Sequence, residues 1–150
     1  MLKNAIIAIA ILAAGGLLAH MHVAAQIYHP VAQLTSPDGL IFTAVQDETG
    51  ERRECGKAND RFLAPFKSLC KQCQIVFARC ERALTGLEAE LAAGHSLPHH
   101  QVLSPGLRLA VAGPDPQAKQ TCDFIAADLV KRGYGTAVCV GPKTDIPDTK

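Results

Sequence analysis

The residues in this chain best suited to chemistry are its six cysteines, Cys55, Cys70, Cys73, Cys80, Cys122 and Cys139. Cys70-Lys71-Gln72-Cys73 has the spacing of a thiol–disulfide oxidoreductase. A reactive pair of that kind sits at a helix N-terminus, where free amides and the dipole stabilise the thiolate. Here no strand leads into the pair, and it falls several residues inside a segment of helical periodicity, on its apolar side. Burial raises a thiol pKa, so a catalytic role for Cys70 and Cys73 is the secondary reading. Gln74 follows the pair where a c-type haem site needs His. A zinc site drawn from Cys70, Cys73, Cys80 and His95 or His99 has one correct spacing but no second knuckle. The loop histidines read as solvated.

The remaining motifs are weaker. Ser68-Leu69-Cys70-Lys71 matches the S-x-x-K nucleophile pattern of penicillin-binding enzymes, but the partner motifs and the size of that fold are missing. Gly113 stands alone after a strand and makes no dinucleotide loop. Glu88 and Glu90 are two residues apart on a helix and do not face each other. No Ser-His-Asp arrangement is favoured by spacing. The sequence therefore assigns no catalytic residue, no metal and no cofactor, and the chain is read as a non-enzyme.

An even number of cysteines in a small exported chain reads as a disulfide framework. Six cysteines allow fifteen pairings, and geometry narrows them. Cys139 lies about four residues into the last strand, or ~13 Å. The same distance back along the preceding helix is about nine residues at ~1.5 Å each, which lands near Cys122. Cys122–Cys139 is thus the preferred bridge. Cys55–Cys80 with Cys70–Cys73 is one closure of the others; Cys55–Cys73, leaving Cys70 and Cys80, is another.

Export is read from the N-terminus. Lys3 and the α-amino group precede the uncharged apolar run Ala5–Ala19, and His20–Ala25 ends in small residues. This is the pattern of a secretory signal cut after Ala25. The same stretch, to Tyr28, is also long enough for a single-pass anchor. Both outcomes place the rest of the chain in the periplasm, soluble or tethered to the inner membrane. With 15 basic and 14 acidic residues and no basic run, nucleic acid is excluded as a partner.

These residues need elements to position them. Residues 1–25 read as signal or anchor, 26–39 as a linker with Pro30 and Pro37, 40–141 as a disulfide-stapled α+β domain, and 142–150 as a polar tail. Leu40–Gln46 reads as a strand and Glu51–Cys55 as a polar edge strand. One long helix is predicted from Asn59, its N-cap, to Ala93, ended by Gly94, with Cys70, Cys73 and Cys80 on its core stripe. His95–Pro105 reads as loop, Leu107–Ala112 as strand, Gln117–Arg132 as helix and Gly135–Val140 as strand. The expected fold is a small sheet of three or four strands packed by the Cys-bearing helix and a C-terminal β-α-β unit. No internal repeat of the solenoid kind is present.

The stretch LRLAVAG followed by QAKQTCDFIAADLVKRGYGTAVCVG resembles one half of a SPOR domain, a periplasmic peptidoglycan-binding domain. About thirty residues carry the resemblance, which implies the strand–helix–strand fold of that unit and no binding residue. The long three-cysteine helix departs from the family. Phe42, Phe62, Phe66, Phe77 and Phe124 read as core, which leaves no ring for sugar stacking. The expected function is a non-catalytic envelope module that binds a protein partner or an envelope polymer.

Overall fold

The structure, a computed structural model, describes residues 26–143. The signal or anchor reading of 1–25, and all of the tail after Lys143, lie outside the described residues. Among those described, no helix is long and apolar enough to cross a membrane.

Among the described residues nine elements follow one another: β1 (His29–Thr35), β2 (Ile41–Gln46), α1 (Arg52–Leu69), β3 (Gln74–Glu81), α2 (Gly86–Ala93), β4 (His100–Ser104), β5 (Leu107–Ala112), α3 (Asp115–Lys131) and β6 (Val138–Val140). The strands form one six-stranded sheet in the order β3-β1-β2-β5-β4-β6, with every neighbouring pair antiparallel. This overturns the expected three- to four-stranded sheet, and the reasons lie in particular segments.

The supposed linker 26–39 contains β1. Val31, Ala32 and Leu34 are all buried, because both faces of this strand are covered. A strand covered on both sides loses the apolar–polar alternation by which it is recognised. The supposed loop 95–105 contains β4, masked by its histidines. The supposed long helix is α1, β3 and α2 in succession. Its three- and four-residue apolar steps mimicked a helix, but Ile75-Val76-Phe77 is a β-branched and aromatic run that prefers a strand. The Cys70–Cys73 bridge closes the turn between α1 and β3, with a Cα separation of 5.3 Å. Cys70, Cys73 and Cys80 therefore share no helical stripe.

The helix begins earlier than expected. Glu51 is its N-cap, and the supposed edge strand 51–55 supplies its first turn. Asn59 is buried within α1, where its Nδ2 donates to the Arg79 carbonyl at 2.9 Å and its Oδ1 accepts from Gln46 Nε2 at 3.1 Å. Pro65 lies inside the helix, and Gly94 ends α2 at φ 75°.

Two apolar layers hold the sheet. On one face α1 and α3 cover Ala32, Leu34, Phe42, Ala44, Val102, Leu109 and Val111. On the other, α2 presses Leu91 onto Val31, Val45 and Ala110. Full burial of a Leu or Val contributes about 1.5–3 kcal/mol, so the fully buried Leu34, Leu91, Leu109, Val102 and Val111 dominate the packing.

The two halves repeat each other. β1-β2-α1-β3 and β4-β5-α3-β6 have the same element order, and in each the last strand pairs with the first. The β5-α3-β6 unit is thus a split β-α-β: β5 and β6 are parallel, with β4 between them. The sequences correspond as well. Gln33-Leu34-Thr35-Ser36-Pro37-Asp38-Gly39-Leu40 matches Gln101-Val102-Leu103-Ser104-Pro105-Gly106-Leu107 with one residue deleted. Under this match Phe42 corresponds to Leu109, Thr43 to Ala110 and Ala44 to Val111. The β2–β5 register pairs Phe42 with Val111, Thr43 with Ala110 and Ala44 with Leu109. Exchanging the halves maps these pairs onto themselves, which places an approximate twofold axis between Thr43 and Ala110.

A candidate apolar cleft

In each half one disulfide ties a helix to an outer strand. Cys55 of α1 joins Cys80 of β3, and Cys122 of α3 joins Cys139 of β6. With Cys70–Cys73, all six cysteines are paired. α1 is held over β1 and β3, and α3 over β4, β5 and β6, so the helices are drawn toward opposite edges of the sheet. The floor between them is itself buried, with Leu40, Phe42 and Leu109 at most 5% exposed, and the apolar side chains open to water are on the helix walls above it.

A cleft of about 440 Å³ lies there. Its floor is Leu40 and Phe42 from one half and their counterparts Leu107 and Leu109 from the other. Phe62, Pro65 and Phe66 form the α1 wall, and Phe124, Ile125 and Leu129 the α3 wall. The Phe66 ring stands 6.0 Å from Phe42 and 5.2 Å from Phe62, both tilted, which fixes the α1 wall. Phe124, expected in the core, is 67% exposed on the opposite wall. Cys70 and Cys73 also line the cleft.

Four charged residues line the cleft: Asp38, Arg61, Asp128 and Arg132. Arg132 Nε donates to Asp128 at 2.5 Å, and Asp38 accepts from Gln117 Nε2 and Ser36 Oγ. Among the described residues Arg61 has neither an ion pair nor a hydrogen bond from its side chain. The volume falls in the range of small-molecule sites, which are mostly apolar with a few polar groups.

The CxxC pair is built differently from a redox centre. Cys70 caps the C-terminus of α1, with its N–H donating to Phe66 O at 2.8 Å, and Cys73 N–H donates to Cys70 O at 3.1 Å. The negative end of the helix dipole opposes a thiolate there. The zinc alternative meets the same cysteines already bonded, with Cys80 on β3 tied to Cys55. No group of three or more metal-ligating side chains occurs among the described residues. Ser68 Oγ donates back to Pro65 O at 2.8 Å, as a helical serine does.

Two polar placements were missed from sequence. Glu88, expected on a helix surface, is buried and accepts from Arg79 Nη2 at 2.6 Å, tying α2 to β3. His95 is exposed and meets Glu90 at 2.6 Å, but His100 is buried rather than solvated. Its Nε2 meets Asp115 at 2.8 Å, while its Nδ1 is enclosed without a partner, so no nucleophile is aligned with it.

A second depression, of about 560 Å³, lies between the end of β2 and the β4–β5 turn. His29, Asp47, Glu48 and Arg108 border it, with His29 and Glu48 3.9 Å apart. Its groups are exposed or half-buried and do not converge on a point.

The cleft itself was legible in one signal. The repeated Ser-Pro-(Asp)-Gly-Leu turns at 36–40 and 104–107 supply residues to its floor and ends. No protein-family model, curated protein or solved structure matches this chain.

Proposed function

We propose that this protein is a non-catalytic binding module of the cell envelope, exported or anchored, that holds an apolar ligand in the cleft between α1 and α3. The observation that carries the reading is the cleft's construction. Two bridges hold the helices to opposite edges of the sheet, and the notch between them has a buried leucine and phenylalanine floor and apolar walls open to water, with Phe124 67% exposed and Phe62, Phe66, Ile125 and Leu129 half-buried. Apolar surface open to water is costly, at roughly 25 cal/mol per Å², and covering it with a ligand recovers that energy. The disulfides fit the same reading, since they belong to an oxidising compartment. In this reading an apolar ligand takes the place of the protein or polymer partner expected from sequence.

The test is titration with the neutral dye N-phenyl-1-naphthylamine, whose emission rises and shifts to the blue in apolar surroundings. Saturable binding is expected, lost in Phe124→Glu while the melting temperature stays within a degree or two. Phe124 is two-thirds exposed, so its replacement leaves the core intact. Dye binding that is absent, or indifferent to Phe124→Glu, would overturn the reading.

A further inference from the structure

We propose, resting on the cleft as the binding site, that its ligand is a long-chain fatty acid, with the hydrocarbon chain along the cleft and the carboxylate at Arg61. Size comes first. The cleft holds about 440 Å³. A helix about 10 Å across fills roughly 420 Å³ with each 5.4 Å turn, so a helical partner would seat little more than one turn there. An extended chain is thinner and lies along the apolar walls.

Hydrogen bonding separates the two kinds of extended chain. β2 and β5 are interior strands whose backbone groups are engaged with β1, with each other and with β4. Phe62, Phe66, Phe124, Ile125 and Leu129 make up most of the walls and offer no donor or acceptor, and Thr121 is the one uncharged polar side chain that the two helices add to the lining. A peptide laid along the floor would bury N–H and C=O groups without partners, at a cost of a few kcal/mol each. A hydrocarbon chain has no such groups.

Charge selects the head group. Of the four charged residues lining the cleft, both acids are engaged, Asp128 with Arg132 and Asp38 with Gln117 and Ser36. Arg61 is the one left without a partner among the described residues, beside Phe62 on the same wall. A guanidinium forks onto a carboxylate through two parallel N–H donors.

The experiment displaces N-phenyl-1-naphthylamine from the full chain with laurate or dodecyltrimethylammonium, each below its micelle concentration, or with dodecanol below its solubility limit. The three share one chain and differ in charge. Laurate is expected to displace best and the cation worst, with laurate ahead of dodecanol by about tenfold. In Arg61→Gln that gap closes, laurate then displacing the dye no better than dodecanol, and Arg61→Lys restores part of it. Equal displacement by all three, or a gap that survives Arg61→Gln, would overturn the anionic head and leave the cleft reading standing. Dye that binds yet resists all three would overturn the hydrocarbon chain. Failure of the dye to bind would remove the cleft reading and this inference together.

Discussion

Removing the bridges one at a time tests how the scaffold is held. Cross-linking lowers the entropy of the unfolded chain by about 2.1 + 1.5R ln n cal/mol/K for a loop of n residues. The sequence separations are 25 for Cys55–Cys80, 17 for Cys122–Cys139 and 3 for Cys70–Cys73, which give about 3.5, 3.1 and 1.6 kcal/mol at 25 °C. Burial widens the difference. Cys55 and Cys122 are fully buried, so truncation to Ala also loses sulfur packing, whereas Cys70 and Cys73 are half-buried. A domain of this size has about 5–15 kcal/mol in all, so either long bridge carries a large share. Each of the doubles Cys55→Ala/Cys80→Ala and Cys122→Ala/Cys139→Ala should lower the melting temperature by about 10–20 °C. Cys70→Ala/Cys73→Ala should lower it by roughly half as much. Denaturant unfolding with calorimetry measures both. If the CxxC double costs as much as either long-range double, the staples do not act as described. If the CxxC double alone abolishes dye binding with the fold intact, the short bridge belongs to the site rather than to the frame.

Other perturbations have definite expected outcomes. Asp115→Ala leaves buried His100 without its partner and should cost about 1–3 kcal/mol by denaturant unfolding, although Asp115 itself is exposed. Gly113→Ala places a methyl 2.5 Å from Leu40 Cδ2 at φ 149°, and should cost about 1–3 kcal/mol while disturbing one end of the cleft floor. The Lys57 hydrogen bond and charge hold the Glu54 carboxyl below its ordinary value near 4.5. Its stabilisation is therefore present at neutral pH and fades as pH falls through the depressed value. Carboxyl NMR titration should show the Glu54 pKa move upward in Lys57→Met, with the charges of Arg53 and Arg61 still holding it down in part.

What the sequence made legible was mostly local and covalent. Leu107–Ala112 was readable as a strand because its termini carry clear turn residues, Pro105-Gly106 and Gly113-Pro114. The helix over 115–131 and the return to Cys139 were readable from spacing, and that geometry also pointed to Cys122. The rest failed where tertiary context overrides pattern. β1 is covered on both faces, so Val31-Ala32 lacks alternation, and Pro30 suggested a linker. Phe77 and Cys80 of β3 stand at helical steps with Leu84 beyond its end, yet Ile75-Val76 and the tight Cys70–Cys73 turn decide for a strand. The cleft depends on which edge each helix is tied to, and that follows from strand order, which no local pattern encodes. The duplicated Gln-x-x-Ser-Pro-(Asp)-Gly-Leu segment was a sequence signal for the common origin of the β1–β2 and β4–β5 hairpins. Aligning the two copies sets the end of β1 against β4 and the start of β2 against β5, on either side of each repeated turn.

The central claim is that a fatty acid occupies the strip between the two disulfide-tied helices. Amide and methyl NMR spectra of the labelled protein, recorded while laurate is added, address it most directly. Saturable shifts are expected at Phe62, Phe66, Leu107, Leu109, Ile125 and Leu129, with little change around Leu91 on the opposite face. Shifts confined to that opposite face, or none at all up to the micelle concentration, would contradict the account.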